Sequence, residues 1–97
     1  MNVRMGLTIN SSSLLEKRFL KVESEGVKFY QSAFIGGTRR FRFREIQCIL
    51  MSPANLLSFQ VGNEVFSLTI KPDKAKHQEV LAAFVNGVLA ANGMQPT

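Results

Sequence analysis

The chain has 97 residues, a length that suits one domain with a modest core and excludes a second core. Its composition is 45% hydrophobic and 20% charged with three prolines, which is typical of globular proteins and excludes the disordered class. Twelve Lys or Arg against seven Asp or Glu give a formal net charge of +5, which favours anionic partners without indicating one of them.

The first third of the chain has the alternation of half-buried strands. Residues 3–9 are apolar at every second position and predict a strand, and the polar residues 10–13 predict the turn that ends it. The segments 15–22 and 27–30 flank Glu23-Ser24-Glu25-Gly26, whose residues favour a turn. This order predicts a hairpin.

Two large apolar residues, Phe34 and Ile35, lie in a predicted loop just before a basic segment. An apolar tip beside cations is how peripheral domains bind an anionic membrane, so these two residues form a candidate membrane or partner loop. The alternative is that both residues complete the preceding strand and are buried.

Four arginines mark the next predicted strand, residues 39–44, after a break at Gly36-Gly37. Phe41 and Phe43 alternate with arginines, which predicts a buried aromatic face and an opposite cationic face. Because arginine binds phosphate and carboxylate oxygens through paired hydrogen bonds, we interpret the segment as a candidate anion-binding stripe. Its members are Arg39, Arg40, Arg42 and Arg44. A solvated outer face is the alternative.

The next segments predict three more strands. Residues 46–51 form an apolar run that ends at the turn-forming 52–55, and we expect Cys48 in this run to be a buried thiol in a reducing compartment. Two alternating runs then flank Gly62-Asn63, a strong hairpin signal. We count seven strands within residues 2–71.

Beyond Lys71 the apolar period changes to that of a helix, which we predict over residues 74–91. Pro72 and Asp73 suit its start, and Asn92-Gly93 suits its end. The residues expected to face the sheet are Leu81, Phe84, Val85 and Val88.

The opposite helix face carries small, uncharged residues, and Gly87 hints at a close backbone contact. We interpret this face as a candidate interface with a second copy or another protein, formed by Ala82, Ala83, Asn86 and Ala90. A plain solvent-exposed surface is the alternative, and an exposed sheet edge is a second candidate for self-association.

No residue pattern indicates an enzyme. The single histidine, His77, and the single cysteine have no partner evident in the sequence, so we expect a structural His77, no metal site and no cofactor. The N-terminal residues lack the apolar run of a signal peptide, and no segment approaches the about 20 apolar residues of a membrane span. A cytoplasmic location is therefore expected.

The order of seven strands, the joint Phe43-Arg44-Glu45-Ile46, the Gly62-Asn63 hairpin and one closing helix resemble a pleckstrin-homology-like (PH-like) domain of bacterial type. The resemblance covers nearly all of residues 1–97, treated as a single domain. It implies a seven-stranded antiparallel meander bent into a partly open barrel and capped by the helix, without a catalytic site. The first hairpin lacks the basic pattern of the inositide-binding members.

The expected function is therefore a non-catalytic binding or self-assembly module. Its expected partner is a protein, a second copy or an anionic surface, with no small-molecule substrate evident. The alternatives are a module that contacts the phosphate backbone of nucleic acid, which is disfavoured because Phe41 and Phe43 point away from the arginines, and an accessory subunit of an enzyme.

Overall fold

The computed structural model describes residues 7–12, 17–31 and 37–93. Seven strands and one helix follow one another in these segments, with a short 3-10 turn, Phe43–Glu45, between the fourth and fifth strands. The strands are β1 (Leu7–Ser12), β2 (Lys17–Val22), β3 (Gly26–Gln31), β4 (Thr38–Arg42), β5 (Ile46–Met51), β6 (Leu56–Val61) and β7 (Glu64–Thr69), and the helix is α1 (Ala75–Ala91). The mainly β architecture with a C-terminal helix is as predicted.

The strands form two antiparallel sheets. β1 to β4 make a four-stranded sheet in chain order, and β5 to β7 make a three-stranded sheet in chain order. β4 and β5 belong to different sheets, so the strands described here form no closed barrel. The structure therefore confirms a mainly β fold of two sheets and a helix, but it does not show the barrel that the sequence predicted.

The separation of the sheets follows from the turn at Phe43–Glu45, where the sequence pattern predicted a strand continuing to Arg44. The backbone N–H of Arg42 donates to the carboxylate of Glu45 at 2.8 Å. The N–H of Phe43 donates to the carbonyl of Glu25 at 3.1 Å. The bond from Phe43 to Glu25 continues the register of β3 and β4 as their last rung, and the local bond from Arg42 to Glu45 then turns the chain from one sheet into the other.

The first strand also differs from its prediction. Residues 10–12 were expected to form a turn, but they belong to β1 and pair with β2 from Phe19 to Lys17. Polar residues can remain in a strand when a neighbouring strand forms hydrogen bonds with their backbone groups. Here the pairing of β1 with β2 outweighed the local preference of these residues for a turn. Residues 3–6, which the prediction included, lie outside the described segments.

The core is built from phenylalanine rings that alternate inward on both sheets. The ring centroids of four other phenylalanines lie within 6.0 Å of the ring centroid of Phe59, which is on β6. These are Phe29 and Phe41 from the four-stranded sheet, Phe66 from β7 and Phe84 from α1. One ring therefore contacts all three layers, and the predicted burial of Phe41 and Phe43 is confirmed.

The helix starts and ends close to its predicted limits. Its N-cap is Lys74, without a side-chain hydrogen bond, rather than Asp73. The predicted stop is confirmed, because Asn92 caps the C-terminus and Gly93 has a positive φ of 77°. Phe84 and Val88 are buried as predicted, and Leu81 packs against the core while half-buried.

We expect Phe84→Ala to lower the free energy of unfolding by about 3–5 kcal/mol, because the fully buried ring leaves a cavity beside Phe59. Urea denaturation measures the loss. The matched control is Val65→Ala, whose side chain is 63% exposed and which should cost about 0.5 kcal/mol or less. Equal effects of the two changes would show that Phe84 does not hold the core together.

Candidate functional site

Arg39, the first arginine of the predicted stripe, is bound within the protein. Its guanidinium donates to both carboxylate oxygens of Glu64 at 2.9 and 3.1 Å. The same group lies 5.3 Å from the centroid of Phe41 and 5.1 Å from that of Phe66. The hydrogen bond with Arg39 lowers the pKa of Glu64. Arg39 therefore joins the edge strands β4 and β7 of the two sheets.

The other three arginines of the stripe are exposed but do not share one strand face. Arg40 and Arg42 point outward from β4, whereas Arg44 lies in the 3-10 turn, contrary to the predicted alternation. Nε of Arg40 is 3.7 Å from a carboxylate oxygen of Glu23. Glu23 also lines an open cleft beside Arg40 and Arg42, together with Glu25 and Glu45. The cationic surface is therefore shorter than predicted and interspersed with carboxylates.

The predicted membrane or partner loop, Phe34 and Ile35, lies outside the described residues. The predicted helix face is only partly assembled. Ala82, Asn86 and Ala90 are exposed, but Ala83 is half-buried and packs against the core. Ala83 is therefore less accessible to a partner than the other three residues of the predicted interface.

Gly87 explains why one part of this face cannot receive a partner. A Cβ atom built on Gly87 would lie 2.5–2.7 Å from the ring atoms Cζ, Cε2 and Cε1 of Phe43. Gly87 thus provides the close backbone contact that the sequence hinted at, but the contact is internal. It holds the 3-10 turn against α1.

We expect Gly87→Ala to lower the free energy of unfolding by about 1–3 kcal/mol through overlap with the Phe43 ring. In a Phe43→Ala background the same change should instead raise it by about 0.5–1 kcal/mol, because alanine favours the helix. Urea denaturation of the four proteins completes the cycle. A stabilising Gly87→Ala change in the wild type would contradict the ring contact.

His77 has a structural role at the start of α1. Its side chain is buried, and Nδ1 accepts a hydrogen bond from the backbone N–H of Lys71 at 2.9 Å. Burial lowers the pKa of His77, and the charges of Lys74 and Lys71 lower it further, while Asp73 raises it. Because protonated Nδ1 cannot accept a hydrogen bond, the folded protein favours neutral His77.

The free energy of unfolding should therefore decrease with falling pH below about 6.5, the ordinary histidine pKa. The unfolded chain takes up a proton there, whereas folded His77 does so only at lower pH. The stabilisation by neutral His77 is fully present above about pH 6.5, and it is lost as the pH falls towards the lower pKa of His77 in the folded protein. Urea denaturation between about pH 7.5 and 5.5 measures the slope, and His77→Gln should flatten it. An unchanged slope in His77→Gln would assign the dependence to another group.

Sequence analysis named an exposed sheet edge as a candidate for self-association but did not identify the strand, and the structure places β5 at such an edge. β5 is an outer strand of its sheet and pairs only with β6 among the described strands. Its residues 46–51 carry no charge, and Leu50 and Met51 are 63% and 42% exposed. The apolar run predicted a buried strand. Its position at a sheet edge depends on which strands pair, and the sequence does not show this.

Hydrogen bonding identifies the free groups of β5. The N–H of Ser52 donates to the carbonyl of Leu56 at 3.0 Å. Because alternate residues of an antiparallel strand direct their backbone groups to opposite sides, Leu50 bonds towards β6, while Ile49 and Met51 direct N–H and C=O to the free edge. Towards the start of β5, a register shift between Ile46 and Cys48 interrupts the ladder.

A groove of about 450 Å³ separates this strand from α1. Its apolar lining comes from Ile46 and Ile49 on one side and from three residues of α1 on the other, Val85, Val88 and Leu89. Cys48 also lines the groove and is only half-buried, so the expectation of a buried thiol was wrong. The groove and the outward backbone groups lie side by side along β5.

The other sheet edges are protected. β4 carries Arg39, Arg40 and Arg42, and β1 is the strand that α1 contacts most extensively. On β7, the carbonyl of Ser67 accepts a hydrogen bond from Nη1 of Arg18 at 2.5 Å. Charges and capped carbonyls are how proteins prevent edge pairing, so β5 differs from these three strands.

No protein-family model, curated protein or solved structure matches this chain. None of the helices in the described segments is long and apolar enough to cross a membrane. Within the same segments, no three His, Cys, Asp or Glu side chains are grouped so that they could hold a metal ion. The candidate site therefore rests on its own geometry.

Proposed function

We propose that the protein is a PH-like, non-catalytic binding module that receives an extended strand of a protein partner at the edge of β5. The observation that carries the proposal is the uncharged edge with outward N–H and C=O groups on Ile49 and Met51, beside an apolar groove. Strand addition obtains affinity from such backbone groups and specificity from pockets for alternate side chains.

The side chains around the edge favour a partner strand that is apolar. Inward-facing side chains of the added strand would enter the groove against Val85 and Leu89, while outward-facing ones would lie beside Leu50. Arg44 is the charged residue of the groove lining. A partner strand with a carboxylate at that end would gain an ion pair.

A second candidate function is contact with an anionic surface. It rests on exposed Arg40, Arg42 and Arg44 and on the net charge of +5. Glu23, Glu25 and Glu45 lie among these arginines and weaken the local field. Attachment to lipid headgroups or to a nucleic-acid backbone through this surface would weaken steeply with salt, whereas strand addition to an uncharged edge would not.

The test of strand addition uses peptides selected from a random phage-displayed library, with the bound site mapped by amide hydrogen exchange. We expect slower exchange of the Ile49 and Met51 amides. Met51→Pro should weaken peptide binding by about tenfold or more, because it removes an outward N–H without breaking the ladder to β6.

The matched control is Met51→Ala, which keeps that N–H and should bind within about threefold of the wild type. Both variants are compared at equal stability, measured by urea denaturation. If Met51→Pro and Met51→Ala bind equally well, or if the selected peptides protect other strands, strand addition at β5 is wrong.

A further inference from the structure

We infer that the strand received at this edge is β5 of a second copy of the chain, paired antiparallel about a two-fold axis. This inference rests on the proposed strand addition and names its partner. The occupant of the edge must be extended, apolar where it pairs with residues 49–51 and able to cover exposed Leu50. β5 itself meets these requirements, and its composition is that of segments which pair with their own kind.

Charge permits a second copy at β5 and opposes one at β4. A two-fold pairing of β5 sets no charged side chain of that strand opposite another, whereas β4 would bring arginine opposite arginine. The net charge of +5 on each copy adds little repulsion, because salt screens charges beyond about 8 Å at physiological ionic strength.

The free backbone groups select one register. Suppose that Ile49 of each copy lies opposite Met51 of the other. The outward N–H and C=O groups of Ile49 then bond to those of Met51 in the second copy, and this pairing occurs twice in the dimer. The pairing then stays clear of the register shift between Ile46 and Cys48 and ends before Pro53, which has no N–H. At its centre, Leu50 lies opposite Leu50 of the second copy.

This register also places side chains well on both faces of the joined sheets. Leu50 occupies a non-hydrogen-bonded position, where opposite Cα atoms approach to about 4.5 Å and side chains make their closest contact. On the other face, Met51 of the second copy lies beside Ile49, at the groove lined by Val85 and Leu89. The dimer therefore covers Leu50 and places Met51 of the second copy at the end of the groove that Ile49 lines.

The contact is small. Only a few residues of each strand pair, which buries far less than the about 800 Å² per partner of a typical stable interface. We therefore expect a weak dimer whose population rises with protein concentration, and covalent trapping is the sharpest test of it.

The test places one cysteine at a time in the Cys48→Ser background. Opposite Leu50 positions have a Cα separation that suits a disulfide, so Leu50→Cys should form a disulfide-linked dimer under mild oxidation at least about tenfold faster than Val65→Cys. Val65 is the matched control, since it is also 63% exposed but lies on β7. Non-reducing electrophoresis measures the dimer.

The native cysteine checks the register. With Leu50 at the centre, Cys48 lies opposite Ser52 of the second copy, and the two Cys48 residues are about 14 Å apart, too far for a disulfide. The wild type should therefore cross-link no faster than Val65→Cys. Equal rates for Leu50→Cys and Val65→Cys, or faster linkage through Cys48, would overturn the inference.

Failure of the dimer is distinguishable from failure of strand addition. If Leu50→Cys does not cross-link preferentially but selected peptides still protect the Ile49 and Met51 amides, the partner is another protein and the second-copy inference is wrong. If neither occurs, both proposals are wrong.

Discussion

The aromatic contact around Phe59 holds the two sheets and the helix together. Its ring lies against Phe29 and Phe41 of one sheet, Phe66 of its own sheet and Phe84 of α1, at centroid distances of 5.4–6.0 Å. Because β4 and β5 do not pair, backbone hydrogen bonds between these strands do not join the sheets. Side-chain packing therefore carries that connection, assisted at one border by the ion pair between Arg39 and Glu64.

An architecture of two separate sheets has more strand edges than a closed barrel, and the treatment of these edges relates the fold to its proposed function. Arg39 of β4 and Arg18 of β2 each donate hydrogen bonds from their guanidinium groups to β7 and so join the two sheets. α1 packs against β1. Among the described residues, the outer half of β5 has neither device, and this is why we propose that its backbone groups receive another chain.

The arginine-rich segment shows how a sequence pattern can overstate a surface. Alternation correctly separated Phe41 from the outward-facing Arg40 and Arg42, because side chains on a strand point to opposite faces in turn. It could not show that Glu64, twenty-five residues away, binds Arg39, or that Glu45 ends the strand before Arg44. A distant ion pair therefore binds Arg39, and a local hydrogen bond moves Arg44 off the strand.

The sequence by itself determined the order of the seven strands in the described segments and the limits of β5 and α1 within a residue. It also determined the burial of Phe41, Phe43 and Phe84, since all of these follow from local periodicity and turn chemistry. The tertiary structure alone decided that β4 and β5 separate, that the backbone at Gly87 receives the ring of Phe43, and that β5 lies at an edge. These features depend on which strands pair and how closely α1 approaches them. Strand pairing and the approach of α1 are set by the packing of residues far apart in the chain. Such packing produces no periodic pattern in the sequence.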